Sequence, residues 1–203
     1  MRLIFVLMEI LVTSLYLAIL LYLFKKWKFF KTSWVSTKLL RGLFIIKFIT
    51  GLIVFWVYTG YYSNNKYNRQ DADIFKYYDD SEIIYNSLKT KPLDFAKIIL
   101  GLDFNKKYYS SEYYINMNHW DNHYRSHIFN DARVIIRINA LLRIVSFKFY
   151  SIHILAFCFI SYLGLFALFK ATAKHIKSKE KLFFICLLLT PSILFWSSGV
   201  LKE

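Results

Sequence analysis

LIFVLMEILVTSLYLAILLYLF, residues 3–24, is an apolar run broken by a single charge, Glu9. A hydrocarbon core of roughly 30 Å takes about 20 apolar residues in a helix, so this run is long enough to cross a bilayer. It is too long for the core of a secretory signal, has no small-x-small cleavage site, and its positive charge mostly follows it. It reads as a retained helix. Three further runs meet or approach the same length: 43–58, extendable back through Lys47 to Leu39; 152–169; and 182–201, which contains Pro191. The expected fold is an all-α integral membrane protein, with four transmembrane helices and a helical extracytoplasmic domain between the second and the third. By residue, the expected order is helix 1–24, basic loop 25–41, helix 42–59, helical loop domain 60–149, helix 150–169, basic loop 170–181 and helix 182–203.

Net charge is +14, and its distribution sets the topology. Residues 25–41 carry Lys25, Lys26, Lys28, Lys31, Lys38 and Arg41 with no acid; residues 170–181 carry five lysines against Glu180. Short basic loops stay on the cytoplasmic side. Residues 59–147 mix both signs, which puts them, and both chain ends, on the outer side. A basic total can signal nucleic acid. Here the excess sits in two juxtamembrane loops, where topology and anionic lipid account for it, so nucleic acid is not expected as a partner. Cys158 and Cys186 each fall in an apolar run without a CxxC neighbour, and imply neither a metal nor a redox motif.

The outer segment is patterned rather than linker-like. Ile74, Tyr78, Ile84 and Leu88 recur at roughly helical spacing over 72–88. Pro92 suits the first position of another helix, over 93–102, with Gly101 near its end. The aromatic-polar stretch 108–114 suits a membrane interface. The strongest pattern is 130–146, where Ile128, Ala132, Ile135, Ile136, Leu142 and Val145 give apolar coverage. Arg133 and Arg137 share another face. Such a helix can lie in the interface plane and lead into the third span.

The candidate chemistry starts at Asp71-Ala72-Asp73-Ile74-Phe75-Lys76-Tyr77-Tyr78-Asp79-Asp80, beyond the outer end of the second span. On a helix Asp73, Tyr77 and Asp80 share a face. Asp71 falls at the helix start, where it can cap free N–H groups. A carboxylate such as Asp73 can accept the proton of an attacking hydroxyl. Arg133 and Arg137 fit a phosphate clamp, or contact lipid headgroups, or pair with Asp131 and other acids. His119, His123 and His127 lie four apart beside Asp121 and Asp131. One turn suits a shared metal, but three imidazoles over eight residues do not converge easily on a helix, so no metal site is assigned. Hydrogen bonding to substrate or a polar surface remains, with His123 the first choice. Intramembrane charges are functional candidates by default, yet Lys47 can extend to the cytoplasmic side and Glu9 lies near the outer end, so both read as anchors. No serine or cysteine nucleophile, phosphate-cradling glycine loop or nucleotide fold is indicated.

Asp73-Ile74-Phe75-Lys76-Tyr77-Tyr78-Asp79-Asp80-Ser81 resembles the D-x-x-x-Y-x-x-D pattern in the first large external loop of multi-span bacterial glycosyltransferases of the GT-C fold. Pro191-Ser192-Ile193-Leu194-Phe195-Trp196-Ser197-Ser198-Gly199-Val200-Leu201-Lys202-Glu203 resembles the P-S-x-x-F-W-S-x-G-x-x-K-[DE] stretch of membrane proteins grouped near them, and residues 130–146, with Asn139, also fit. The resemblance implies sugar transfer from a polyprenyl-phosphate donor to a glycan, lipid or protein acceptor, at the outer face of a bacterial inner membrane. An acid on the first external loop is the base, or binds a divalent metal in some members; no cofactor is otherwise implied. By position Asp73 is the base and Asp71 an auxiliary acid. Arg133, Arg137, His123, Tyr77 and Asp80 are the substrate contacts inferred beside them. Family members have more than four spans, so this chain is expected to be an amino-terminal portion with an added first helix. The alternatives are a non-catalytic scaffold or subunit of an envelope complex and, third, a lipid or polysaccharide transporter. Few polar residues in the spans could face a transport path.

Overall fold

The computed structural model describes residues 2–60, 72–103, 105–120, 132–176 and 178–200, with only the backbone of Arg2, Asp73 and Lys106. The described residues form helices and no strand. They are α1 (Arg2–Lys26), α2 (Thr37–Gly60), α3 (Asp73–Thr90), α4 (Pro92–Leu100), α5 (Lys106–Glu112), α6 (Ala132–Ser146), α7 (Tyr150–Ala173), α8 (Glu180–Leu189) and α9 (Pro191–Trp196). Three of them, over Leu3–Lys26, Thr37–Gly60 and Tyr150–Ala173, are long and apolar enough to cross a membrane, which points to a membrane protein.

The fourth apolar run does not form one long helix. Pro191 has no N–H to donate and its ring clashes with the carbonyl four residues back. The chain leaves α8 at Thr190, with extended backbone at ψ 119, and restarts with Pro191 at the first turn of α9. A ten-residue α8 rises about 15 Å, half of a hydrocarbon core.

The chain divides into two compact units: Met1–Trp56 with Phe149–Gly199, and Val57–Lys148. The first is held by aromatic packing. Phe24, Phe30, Phe44, Tyr162, Phe166 and Phe184 are fully buried. Their rings meet mostly edge-on or tilted, as Phe24 does against Tyr162 at 5.3 Å and Phe166 against Phe184 at 5.7 Å, which suits the ring quadrupoles. Tyr162 donates its hydroxyl to Leu40 O at 2.8 Å, tying α7 to α2. Lys47 does not reach a membrane surface as its position suggested. It is 1 % exposed and donates to Ser197 Oγ at 2.5 Å and Ser198 Oγ at 3.4 Å. Glu9 likewise does more than mark the end of a span: it accepts from Ser151.

In the second unit α3 packs on α6 and α4. Ile84, Ile98, Ile136 and Ala140 form the dry centre, so the face of α3 marked by Ile74, Tyr78 and Ile84 is buried as its spacing required. Ala72 occupies the N-cap position of α3 without a side-chain bond; Asp71, expected there, lies outside the described residues. Pro92 opens α4, and Gly101 closes it at φ 72, where a residue without Cβ adopts the left-handed region at little cost. Residues 108–114 depart from expectation. Tyr109, Tyr113 and Tyr114 are buried in the core of this unit rather than presented to a membrane interface. Helix α6 buries Ala132, Ile136 and Ala140 and leaves Val134, Leu141, Ile144 and Val145 exposed. It does not run on into α7, because Phe147 (φ 52) and Lys148 (φ 67) turn the chain through two successive left-handed residues.

Candidate functional site

The candidate site is built on α3 and α6. One turn apart on α3, Tyr77 and Asp80 are both buried. The carboxylate of Asp80, 1 % exposed, accepts the backbone N–H of Asn118 at 2.8 Å and of His119 at 2.7 Å, and the Asn118 amide at 3.2 Å. Burial pushes its carboxyl above the usual carboxylate range; the bonds from Asn118 and His119 oppose that shift without cancelling it. Tyr77 meets the His119 ring edge-on at 5.4 Å. Asp80 therefore pins the segment before Trp120 onto α3.

Trp120 is what that anchoring delivers. Its ring stacks on Tyr114 at 4.3 Å. Arg133 and Arg137, four apart on α6, place their guanidinium carbons 5.4 Å and 5.1 Å from the centre of that ring. Arg133 Nε donates to Trp120 O at 3.0 Å, and Arg137 Nε to Ile98 O at 2.7 Å. Arg137 Nη2 stands 3.4 Å from Asp103 Oδ1, and Asp103 also accepts from the Tyr114 hydroxyl. The Arg137 side chain is 22 % exposed, and its other N–H groups take no partner among the described residues. Two guanidinium groups close to one indole ring, that of Arg137 with N–H groups still open among the described residues, are suited to an anion.

Two further constellations carried no sequence signal. Arg143 is 3 % exposed and sits between α3 and α6. The second is Asp94 on α4. It accepts at Oδ2 from Tyr108 at 2.7 Å and Tyr113 at 2.8 Å, and at Oδ1 from Tyr109 at 3.3 Å. Lys91 donates to Tyr108 at 3.2 Å and to Glu112 at 2.6 Å. Desolvation alone would raise the Asp94 carboxyl, but the three hydroxyls and Lys91 outweigh it and the net shift is downward. Desolvation first, then the contacts with Asp94 and Tyr108, push the Tyr113 hydroxyl up. A carboxyl held below its unfolded value, about 3.9, stabilises the fold above that pH and loses the contribution as pH falls through the folded value. Tyrosine near-ultraviolet circular dichroism of the full chain in detergent is therefore expected to decay on acidification below about pH 4. Asp94→Asn should flatten that decay; an unchanged acid transition in the variant would remove Asp94 as its cause.

The candidates are distributed unevenly. The structure brings Tyr77, Asp80, Arg133 and Arg137 into one unit, with Asp80 and the arginines joined through Trp120. The backbone of Asp73 opens α3; its side chain, and all of Asp71, Asp121, His123, His127, Asp131, Lys202 and Glu203, lie outside the described residues. Among the described residues no three His, Cys, Asp or Glu side chains are placed to hold a metal ion. Comparison with protein-family models, curated proteins and solved structures gives no match.

Proposed function

We propose that the chain is a membrane glycosyltransferase, or a portion of one, that moves a sugar from a polyprenyl-phosphate donor to a glycan, lipid or protein acceptor. The observation that carries this reading is the pair of arginines, Arg133 and Arg137, gathered over Trp120. They sit in a helical unit that lies, in sequence, between two helices able to cross a membrane. Guanidinium donors on one face match the oxygens of a lipid phosphate. In this reading the unit is extracytoplasmic, the short basic loops face the cytoplasm of a bacterial inner membrane, and residues 182–203 form a fourth membrane segment despite the break at Pro191.

The reaction is a single displacement. Asp73 takes the proton of the acceptor hydroxyl, whose oxygen attacks the anomeric carbon. The bond from that carbon to the phosphate oxygen breaks, and the charge left on the phosphate is offset by Arg133 and Arg137. Asp71 is an auxiliary acid, a site for a divalent metal if the reaction uses one. His123, Tyr77 and Asp80 remain substrate contacts by sequence position, though Tyr77 and Asp80 are buried and Asp80 already spends its oxygens on Asn118 and His119.

Membranes holding the full chain, given radiolabelled polyprenyl-phosphate sugars, test this. Asp73→Asn is expected to lower transfer by about 10²-fold or more while leaving insertion intact. Undiminished transfer in that variant ends the assignment of Asp73. Reagent labelling of Asn86→Cys and Ser111→Cys, both exposed positions, in a Cys186→Ser background checks the side of the membrane. Labelling only after lysis would overturn the topology. The second reading, a non-catalytic scaffold, is favoured by the Arg137–Asp103 pair, which gives one arginine a structural partner. It predicts that Asp73→Asn is silent while substitutions on α3 break a complex.

A further inference from the structure

A cavity of about 240 Å³ opens within the unit of apolar helices, between α1, α2 and the start of α7. Most of its wall is hydrocarbon, including Ile10 and Leu17 on α1 and Phe48 and Leu52 on α2. Its polar lining is Glu9, Thr13, Ser14 and Ser151. Ser151 donates both its hydroxyl, at 2.7 Å, and its backbone N–H, at 3.2 Å, to Glu9 Oε1. Thr13 Oγ1 lies 2.7 Å from Ser151 Oγ. The single hydroxyl proton of Ser151 is committed to Glu9, so Thr13 is the donor in that pair. A relay from Thr13 through Ser151 thus fixes Oε1. Glu9 Oε2 takes no partner among the described residues, although its side chain lines the cavity.

A carboxylate oxygen in an apolar wall calls for a hydrogen-bond donor, and the rest of the wall calls for hydrocarbon. We propose that this cavity binds the head of a long-chain lipid alcohol, whose hydroxyl donates to Glu9 Oε2. At about 30 Å³ for a group the size of a water molecule, the space holds roughly eight such groups, so the hydroxyl end and first carbons of a chain fit. A phosphate or carboxylate head is disfavoured, because among the described residues no cation lines the cavity and Glu9 would repel it. An ammonium head brings three donors and its own desolvation, whereas a hydroxyl offers one proton to one open oxygen. The inference is independent of the glycosyl-transfer reading, and its test does not use that activity.

The test uses the full chain in lipid nanodiscs with photoreactive C18 probes that differ only in their heads: alcohol, amine and phosphate. The alcohol is expected to label cavity residues of α1 and α2, in competition with unlabelled octadecanol. Glu9→Gln should weaken that labelling about tenfold or more, as expected when an acceptor loses its charge. Leu52→Trp, which fills the cavity and keeps Glu9, should abolish it. Stronger labelling by the amine or the phosphate probe would overturn the proposal. So would alcohol labelling that survives both substitutions, or that spreads evenly over the exposed face of α1.

Discussion

Arg143→Ala is expected to strip hydrogen-exchange protection from α3 and α6 together and to cost about 3 kcal/mol. The guanidinium is 3 % exposed and fully engaged. Its Nε donates to Ser81 Oγ at 2.8 Å and its Nη2 to Tyr78 O at 2.7 Å, while its carbon centre lies 3.9 Å from the centre of the Tyr78 ring. Nη1 lies 3.5 Å from Glu82 Oε2, but that carboxylate is 43 % exposed, so the ion pair contributes little. The loss is therefore the buried stem, the desolvated cation–ring contact and the bonds to α3. Arg143→Lys keeps the charge without the planar fork and should recover only part of the protection. The measurement is exchange mass spectrometry on the full chain in detergent. Wild-type protection in the α3 and α6 peptides of the alanine variant would mean that apolar packing alone holds the helices.

What the sequence disclosed follows from the range over which each interaction acts. The helices over 3–24 and 152–169 were legible because length and apolarity are local. The structure extends both at their ends, into Lys25 and Lys26 for α1 and Lys170 for α7. The break within 182–201 was hidden because composition averages over Pro191, whereas one missing N–H decides where a helix stops. Arg133 and Arg137 could be placed on one face from spacing alone. Trp120, which gathers them, comes from a segment held by Asp80, and that contact spans 39 residues. The tyrosines of 108–114 have the composition of a membrane belt. Only the fold brings Asp94 beneath three of their hydroxyls and turns the same residues inward. Lys47 was illegible for the same reason, since its partners lie 150 and 151 residues away.

That lysine leads to the other large effect. Ser197→Ala combined with Ser198→Ala is expected to be far more damaging than Lys47→Met, although all three positions belong to one cluster. Both serine hydroxyls donate back to carbonyls of their own turn, Ser197 to Ile193 O and Ser198 to Leu194 O. Their lone pairs are left to receive the Lys47 ammonium. Removing the lysine leaves those hydroxyls satisfied and replaces a buried charge with a side chain of similar length, a change of about 1.5 kcal/mol or less. Removing the hydroxyls strands the ammonium among apolar helices, at about 3–5 kcal/mol. The site has little room to relax: a Cβ on Gly51 would fall 2.5 Å from Ser198 O and 2.6 Å from Ile154 Cγ2, so the turn is pressed against α2. For a chain of this size the double-alanine variant should lower the thermal midpoint of the detergent-solubilised protein by on the order of 10 °C. Adding Lys47→Met to it should restore most of that loss, because the stranded charge is then gone. If Lys47→Met alone is as damaging as the double-alanine variant, the lysine is itself the stabilising element and there is no such asymmetry.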